Sequence, residues 1–74
     1  MHIFLMPLEK IFVSIKEINP EKRTIKYHIR DKGSGDRIRP DETENYKVHN
    51  DVAHFGGYHL HIDAVYHISN ILNS

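Results

Sequence analysis

The sequence has no cysteine among its 74 residues and no long apolar run. Without cysteine, no disulfide can support the fold, which suits a reducing compartment. The longest apolar stretches fall far short of the ~20 residues that span a bilayer. The opening segment 1–6 is too short for a secretory signal and is followed at once by Pro7. We therefore expect a cytoplasmic protein that makes no membrane contact.

An excess of charge of one sign is also lacking, because ten Lys and Arg side chains balance ten Asp and Glu side chains. The chain as a whole therefore has no electrostatic attraction to nucleic acid. The charge is unevenly distributed, however. Residues 22–39 hold seven basic and two acidic side chains, and residues 40–51 hold four acidic and one basic. If RNA is a partner, the basic block supplies its contacts, and the candidates are Lys26, Arg30, Arg37 and Arg39.

A chain of 74 residues has room for one domain, 1–74, which buries only about 60% of its unfolded surface. The core is thin, so good packing, a partner, a metal ion or self-association as a homo-oligomer must help to stabilise it. Alternating apolar residues predict strands over 11–18 and 24–30, joined as a hairpin. A short third strand over 37–39 is expected to stop at Pro40.

The second half of the chain is predicted to hold a loop, a strand and a helix. Residues 40–51 are polar and lack periodicity, which predicts a loop. Residues 58–62 alternate as a strand, and 64–73 carry an apolar stripe at helical spacing, with Asp63 as a candidate helix cap. The predicted fold class is α+β: a small antiparallel β-meander with a C-terminal helix packed on one face.

Histidine is the residue type that most clearly suggests a functional site in this sequence. Five of the seven histidines fall between residues 49 and 67. Side chains two apart on a strand point to the same side, so His59 and His61 are expected to present two imidazoles together. These five histidines are His49, His54, His59, His61 and His67.

One hypothesis for the histidines is a metal site. Imidazole binds zinc or nickel well, and a His-x-His strand supplies two ligands of a tetrahedral site. The candidate ligands are His49, His54, His59, His61 and Asp63. No Cys-x-x-Cys or His-Glu-x-x-His pattern is present to strengthen this hypothesis.

A second hypothesis is acid–base chemistry without a metal. Histidine titrates near neutrality, so a pair such as His59 and His61 can act as base and acid in one proton-transfer reaction. Cleavage of RNA by its own 2′-hydroxyl needs such a pair and nearby cations. A third hypothesis is a non-catalytic module for protein interaction, in which the histidines are only the polar face of a strand.

Several segments of the sequence resemble the small TumE-type toxins of bacterial and archaeal toxin–antitoxin pairs. These segments are Tyr27-His28-Ile29-Arg30-Asp31-Lys32-Gly33, the arginine-rich strand after it, Asn50-Asp51-Val52-Ala53-His54 and Tyr58-His59-Leu60-His61-Ile62. The resemblance covers roughly residues 24–62.

The TumE-type proteins carry a Tyr-Asp-Asn-Ala-Pro-His-His tract and a Phe-Pro-x-His-x-His tract after a β-meander. The present chain lacks the proline of the first tract and has Gly57-Tyr58 in place of Phe-Pro. The resemblance implies a growth-inhibiting toxin that acts on RNA and is neutralised by an antitoxin protein. It also implies that the residues carrying this activity are His54, His59 and His61.

Overall fold

The computed structural model describes residues 2–74, and Met1, the first residue of the opening segment, lies outside them. Seven strands precede one helix within this part of the chain. The elements are β1 (Phe4–Pro7), β2 (Ile11–Asn19), β3 (Thr24–Asp31), β4 (Arg37–Asn45), β5 (Lys47–His49), β6 (Val52–Phe55), β7 (Tyr58–His61) and α1 (Ile62–Leu72).

The strands form two antiparallel sheets. The first has four strands in the order β1-β2-β3-β4, and the second has three in the order β5-β6-β7. Each sheet is a meander, because consecutive strands pair with each other. With α1 packed beside β1, β2, β6 and β7, the α+β prediction is confirmed. The second sheet was not foreseen.

The segment 40–51 is not a loop, so that prediction was wrong. β4 continues through Pro40 as far as Asn45, and β5 follows at Lys47. Pro40 is tolerated because β4 is an edge strand and its register with β3 is irregular there, between the pairs Ile29↔Arg39 and Tyr27↔Glu42. The missing N–H of proline therefore costs little at this position.

The core lies between the first sheet and a second layer made of α1 and the three-stranded sheet. Alternate residues of β2 and β3 point into it, and Val65 and Ile68 of α1 pack against them. The three-stranded sheet contributes Ala53 and Phe55. Strand alternation then leaves the opposite side of each sheet facing outward.

Tyr27 attaches the three-stranded sheet to the four-stranded one. Its ring meets that of Phe55 edge-on at 5.2 Å, and its hydroxyl donates to Glu44 Oε2 at 3.2 Å. Burial, aided by the charge of Glu44, raises the pKa of Tyr27 to about 12. The hydroxyl lies so close under Gly56 that a Cβ there would stand 2.2 Å from it. Glycine is therefore required at this contact, and it has a φ of +53°.

α1 begins at Ile62, two residues earlier than predicted, and its cap also differs from the prediction. Asp63 is not the cap. His61 occupies the N-cap, and its Nδ1 accepts a hydrogen bond from the Asp63 backbone N–H at 3.2 Å. Within residues 2–74 the structure holds no helix with the length and apolar character of a membrane span.

Candidate functional site

Four of the seven histidines lie on one exposed face of the three-stranded sheet. Strand register places His54 directly opposite His59, and Lys47 opposite His54. The neighbouring row is His49, Val52 and His61. We call the exposed members of both rows the histidine face, and they are Lys47, His49, His54, His59 and His61.

Two tight turns create the histidine face. Asn50 and Asp51, with φ of +51° and +64°, join β5 to β6, and Gly56 and Gly57, with φ of +53° and +84°, join β6 to β7. Two-residue turns with positive φ at both positions match the twist of paired strands and fix their register. Register in turn decides which side chains share a face, because a slip of one residue exchanges the two faces.

His54 and His59 are the closest pair on this face. Their ring centroids are 6.2 Å apart and the rings are tilted by 40°. Both side chains are exposed, so a ligand can approach them from solvent. Two imidazoles at this separation can touch different atoms of one phosphate-sized group.

His61 lies on the same strand and outward face as His59, but one of its ring nitrogens already takes part in a hydrogen bond. Its Nδ1 accepts the hydrogen bond that caps α1, and Asp63 Oδ2 lies 3.6 Å from the same nitrogen. Because an accepting Nδ1 carries no hydrogen, Nε2 is the ring nitrogen of His61 that can contact a ligand. His61 therefore combines a structural role with a place on the histidine face.

His49 lies on the same face but further from His61. Val52 stands between them, which places them two strand spacings apart, or roughly 10 Å. Within residues 2–74 no group of three or more His, Asp or Glu side chains is arranged to hold a metal ion. The five ligands suggested by the sequence are therefore not gathered around one point.

The predicted nucleic-acid contacts belong to the other sheet. Lys26 and Arg30 alternate with the core residues Tyr27 and Ile29, so they point out of the far side of the four-stranded sheet. Arg37 lies on that side too, 3.8 Å from Asp41, and Arg39 is exposed on β4. The core separates Lys26, Arg30 and Arg37 from the histidine face, whereas Arg39 pairs with Ile29 at the edge of the sheet and so does not share their side.

His28 lies between Lys26 and Arg30 on β3, where strand alternation predicts a solvated side chain, and that prediction is wrong. Its side chain is only 1% exposed. Nδ1 donates to Asp41 Oδ1 at 2.9 Å, and Asp41 also accepts from Lys16 Nζ at 2.8 Å. His28 Nε2 and the hydroxyl of the cross-strand neighbour Ser14 are buried and have no hydrogen-bond partner among the described residues.

Charge and burial set the protonation of this buried cluster. Burial, with a contribution from Arg37 and Arg30, lowers the pKa of His28 and outweighs the opposing effect of Asp41. The hydrogen bond from Lys16 lowers the pKa of Asp41. These two shifts favour a neutral His28 imidazole that donates a hydrogen bond to an ionised Asp41 carboxylate.

Sequence reasoning did not identify Lys47 as part of the site. The signal was present, because Lys47-Val48-His49 and Val52-Ala53-His54-Phe55 alternate on either side of Asn50-Asp51. A two-residue Asn-Asp step between alternating segments is typical of a hairpin. The polar composition of the segment obscured that pattern.

Of two concavities on the surface, one includes a residue of the histidine face and the other does not. A groove of about 950 Å³ runs between the β2–β3 turn and the C-terminal end of α1 and includes no member of the histidine face. A smaller pocket of about 210 Å³ has His59 in its wall.

Comparison with protein-family models, curated proteins and solved structures finds no match to this chain. The histidine face is thus characterised by its own geometry alone.

Proposed function

We propose that this chain is an RNA-cleaving toxin that acts in the cytoplasm, with His54 and His59 as its acid–base pair. The observation that carries the proposal is the exposed pair itself, whose ring centroids are 6.2 Å apart across β6 and β7. The resemblance to TumE-type toxins supports the same residues and suggests RNA as substrate and an antitoxin protein as partner. Strand alternation predicts His59 and His61 as the pair, but the capping role of His61 favours His54 as the partner of His59.

The proposed reaction is the attack of an RNA 2′-hydroxyl on its own 3′-phosphate. One imidazole takes the proton of the 2′-hydroxyl while the bond from O2′ to phosphorus forms. The other gives a proton to the 5′-oxygen as the bond from phosphorus to O5′ breaks. Lys47, opposite His54, is placed to stabilise the negative charge on the phosphate oxygens. The products are a 2′,3′-cyclic phosphate and a free 5′-hydroxyl.

The first experiment is an RNA-cleavage assay in the presence of EDTA with the purified, untagged protein. We expect cleavage to fall at least ~100-fold in His54→Ala and His59→Ala, since positioned acid–base groups contribute about that much or more. His67→Ala is the matched control, because His67 is exposed on α1 away from the face. Equal activity in all three variants would reject the proposed roles and favour the interaction module.

His61 needs a variant that preserves the helix cap. His61→Asn keeps a side-chain acceptor for the Asp63 N–H and removes the imidazole, whereas His61→Ala removes both. A loss of cleavage in His61→Asn with an unchanged melting temperature assigns His61 to the chemistry. A loss confined to His61→Ala assigns it to the cap.

Growth arrest on expression is the cellular counterpart of the cleavage assay. We expect expression of the wild-type chain to inhibit growth, and His54→Ala and His59→Ala to relieve the inhibition at equal protein level. Inhibition that persists in both variants would argue against the histidine face as the toxic site.

A second candidate function is transition-metal binding, which the same opposed pair favours. Two imidazoles on one tetrahedral zinc ion, with bonds of about 2.1 Å, have ring centroids roughly 5 Å apart. The observed 6.2 Å lies close enough for a change of rotamer to close the gap. Titration of the untagged protein with zinc or nickel tests this candidate, with imidazole NMR signals and melting temperature as readouts. Stoichiometric binding that His54→Ala removes and His67→Ala retains would establish it.

A further inference from the structure

The small pocket beside His59 is placed to act with the histidine face. Its lining comes from the end of β1 and from the β6–β7 turn, and it has a volume of about 210 Å³. The lining residues are Met6, Leu8, Gly57, Tyr58 and His59. His59 lines the pocket and also belongs to the histidine face, so a molecule seated in the pocket contacts one member of the proposed acid–base pair.

The pocket walls suit a flat, apolar ring. Met6 and Leu8 supply aliphatic surface, and a Cβ on Gly57 would meet no atom within 4 Å, so that side is open. A cavity of about 150 Å³ is enough to bind one benzene ring. The pocket is larger than that and therefore accepts a heterocycle of nucleobase size.

Tyr58 makes one wall rigid before any ligand binds. Its ring lies edge-on to Tyr27 at 6.4 Å and 6.0 Å from Phe55, and both of these partners are buried core residues. A wall that is already held in place costs little ordering entropy when a ligand arrives. Aromatic and apolar surfaces of this kind bind bases by stacking and contact, with little discrimination among sequences.

We propose that this pocket binds one nucleobase of a single-stranded RNA, so that the phosphate attached to that nucleotide lies between His59 and His54. The inference rests on the proposed function and names the part of the substrate that the site holds. Seating the base orients the phosphate against the imidazoles, which is how a binding pocket lowers the barrier of a reaction elsewhere on the same ligand.

Direct binding of uridine 3′-monophosphate tests the pocket without any reaction. We expect saturable NMR shifts at the Gly57 and His59 amides, and none of comparable size with inorganic phosphate. Leu8→Asp, which puts a charge in the apolar wall, should weaken binding at least tenfold. Leu5→Asp is the matched control, because Leu5 is likewise exposed but lies opposite Ser14 on the far side of the four-stranded sheet.

The outcomes separate this inference from the function on which it rests. Equal shifts with phosphate alone, or equal binding by both aspartate variants, would overturn the base pocket even if RNA cleavage depends on His54. Nucleotide binding that Leu8→Asp weakens, together with cleavage indifferent to His54→Ala, would support the pocket and reject the catalytic proposal. In the cleavage assay Leu8→Asp should lower kcat/KM at least tenfold, because the base is then neither held nor oriented, while Leu5→Asp should leave it unchanged.

Discussion

Histidines occupy two opposite environments in this small fold, and the contrast separates structural from chemical roles. His28 is 1% exposed, donates to Asp41 and has a second ring nitrogen without a hydrogen-bond partner among residues 2–74. His54 and His59 are exposed and face one another across two strands. All three sit on outward-pointing strand positions, so outward direction alone does not make a side chain accessible.

The difference arises from what each sheet places over its outer side. β4 brings Asp41 onto His28, and Asp41 in turn holds Lys16 and lies 3.8 Å from Arg37. The histidine face carries no such carboxylate among the residues paired across its strands. A buried, hydrogen-bonded imidazole contributes to stability, whereas an exposed imidazole is free to meet a ligand.

Substitution of each type of histidine by alanine is the strongest test of this contrast. His28→Ala leaves a cavity and removes a hydrogen bond to an ionised carboxylate, so we expect a loss of about 2–4 kcal/mol in the free energy of unfolding. His54→Ala should change it by less than about 0.5 kcal/mol, as for other exposed positions. Urea denaturation measures both, and similar midpoints for the two variants would contradict the assigned environments.

The contact that fastens the histidine face to the rest of the fold can be broken at Gly56. Gly56→Ala combines positive φ with a Cβ 2.2 Å from the Tyr27 hydroxyl, so we expect a loss of about 2–4 kcal/mol. Gly57→Ala has positive φ but open space around the Cβ, and should cost only about 1 kcal/mol.

A double variant identifies the cause of the Gly56→Ala effect. Adding Tyr27→Phe removes the hydroxyl and leaves ring carbon Cζ at 3.3 Å from the new Cβ. Part of the lost stability should then return, which a double-mutant cycle measures as a favourable coupling. A coupling of zero would show that backbone strain, and not the contact with Tyr27, explains the loss.

The pH dependence of stability is expected to report on His28. Its pKa in the folded protein is lowered from the ordinary value of 6.5, so the unfolded chain binds the proton more readily. The stabilising contribution is therefore complete above pH 6.5 and declines as the pH falls from there towards the lowered value. His28→Asn retains a donor for Asp41 but does not titrate in this range.

Subtraction isolates the His28 contribution from that of the other histidines. The free energy of unfolding of the wild-type chain minus that of His28→Asn should decrease on acidification below pH 6.5. A difference that stays constant, or that grows in acid, would contradict the lowered pKa. Denaturant titrations at several pH values provide the measurement.

The smallest expected effect concerns the helix cap. His61→Ala should destabilise the fold by about 1 kcal/mol, and His61→Asn should restore most of that loss, because asparagine is a strong N-cap residue. The measurement is again urea denaturation. Equal destabilisation by both variants would mean that the Asp63 N–H gains little from the side chain of residue 61.

Local patterns in the sequence predict a good part of this fold. Alternation predicts the β2–β3 hairpin and the strand around Leu60, and the spacing of Val65 and Ile68 predicts the helix. β4 and β5 escaped prediction because Pro40 and a polar composition mask strands whose pairing comes from neighbours. An edge strand needs little hydrophobicity of its own when one side is paired and the other meets solvent.

The candidate site could be predicted only in part. Alternation places His59 and His61 on one face, but the partnership of His54 with His59 depends on the glycine turn at Gly56 and Gly57 fixing the register. The separation of the basic side chains from the histidine face depends on which side of each sheet meets the core. Neither the pairing of His54 with His59 nor the location of the basic side chains can be predicted from the residues of one strand.

By itself, the sequence determined the β2–β3 hairpin, the strand around Leu60, the C-terminal helix and the strand face that His59 and His61 share, because those properties follow from local backbone geometry. Only the tertiary structure decided that His28 is buried and that His54 and His59 are exposed. In sequence, the alternating stretches around His28 and around His59 look alike. Burial depends on the residues that other segments place over a face, and those residues are distant along the chain.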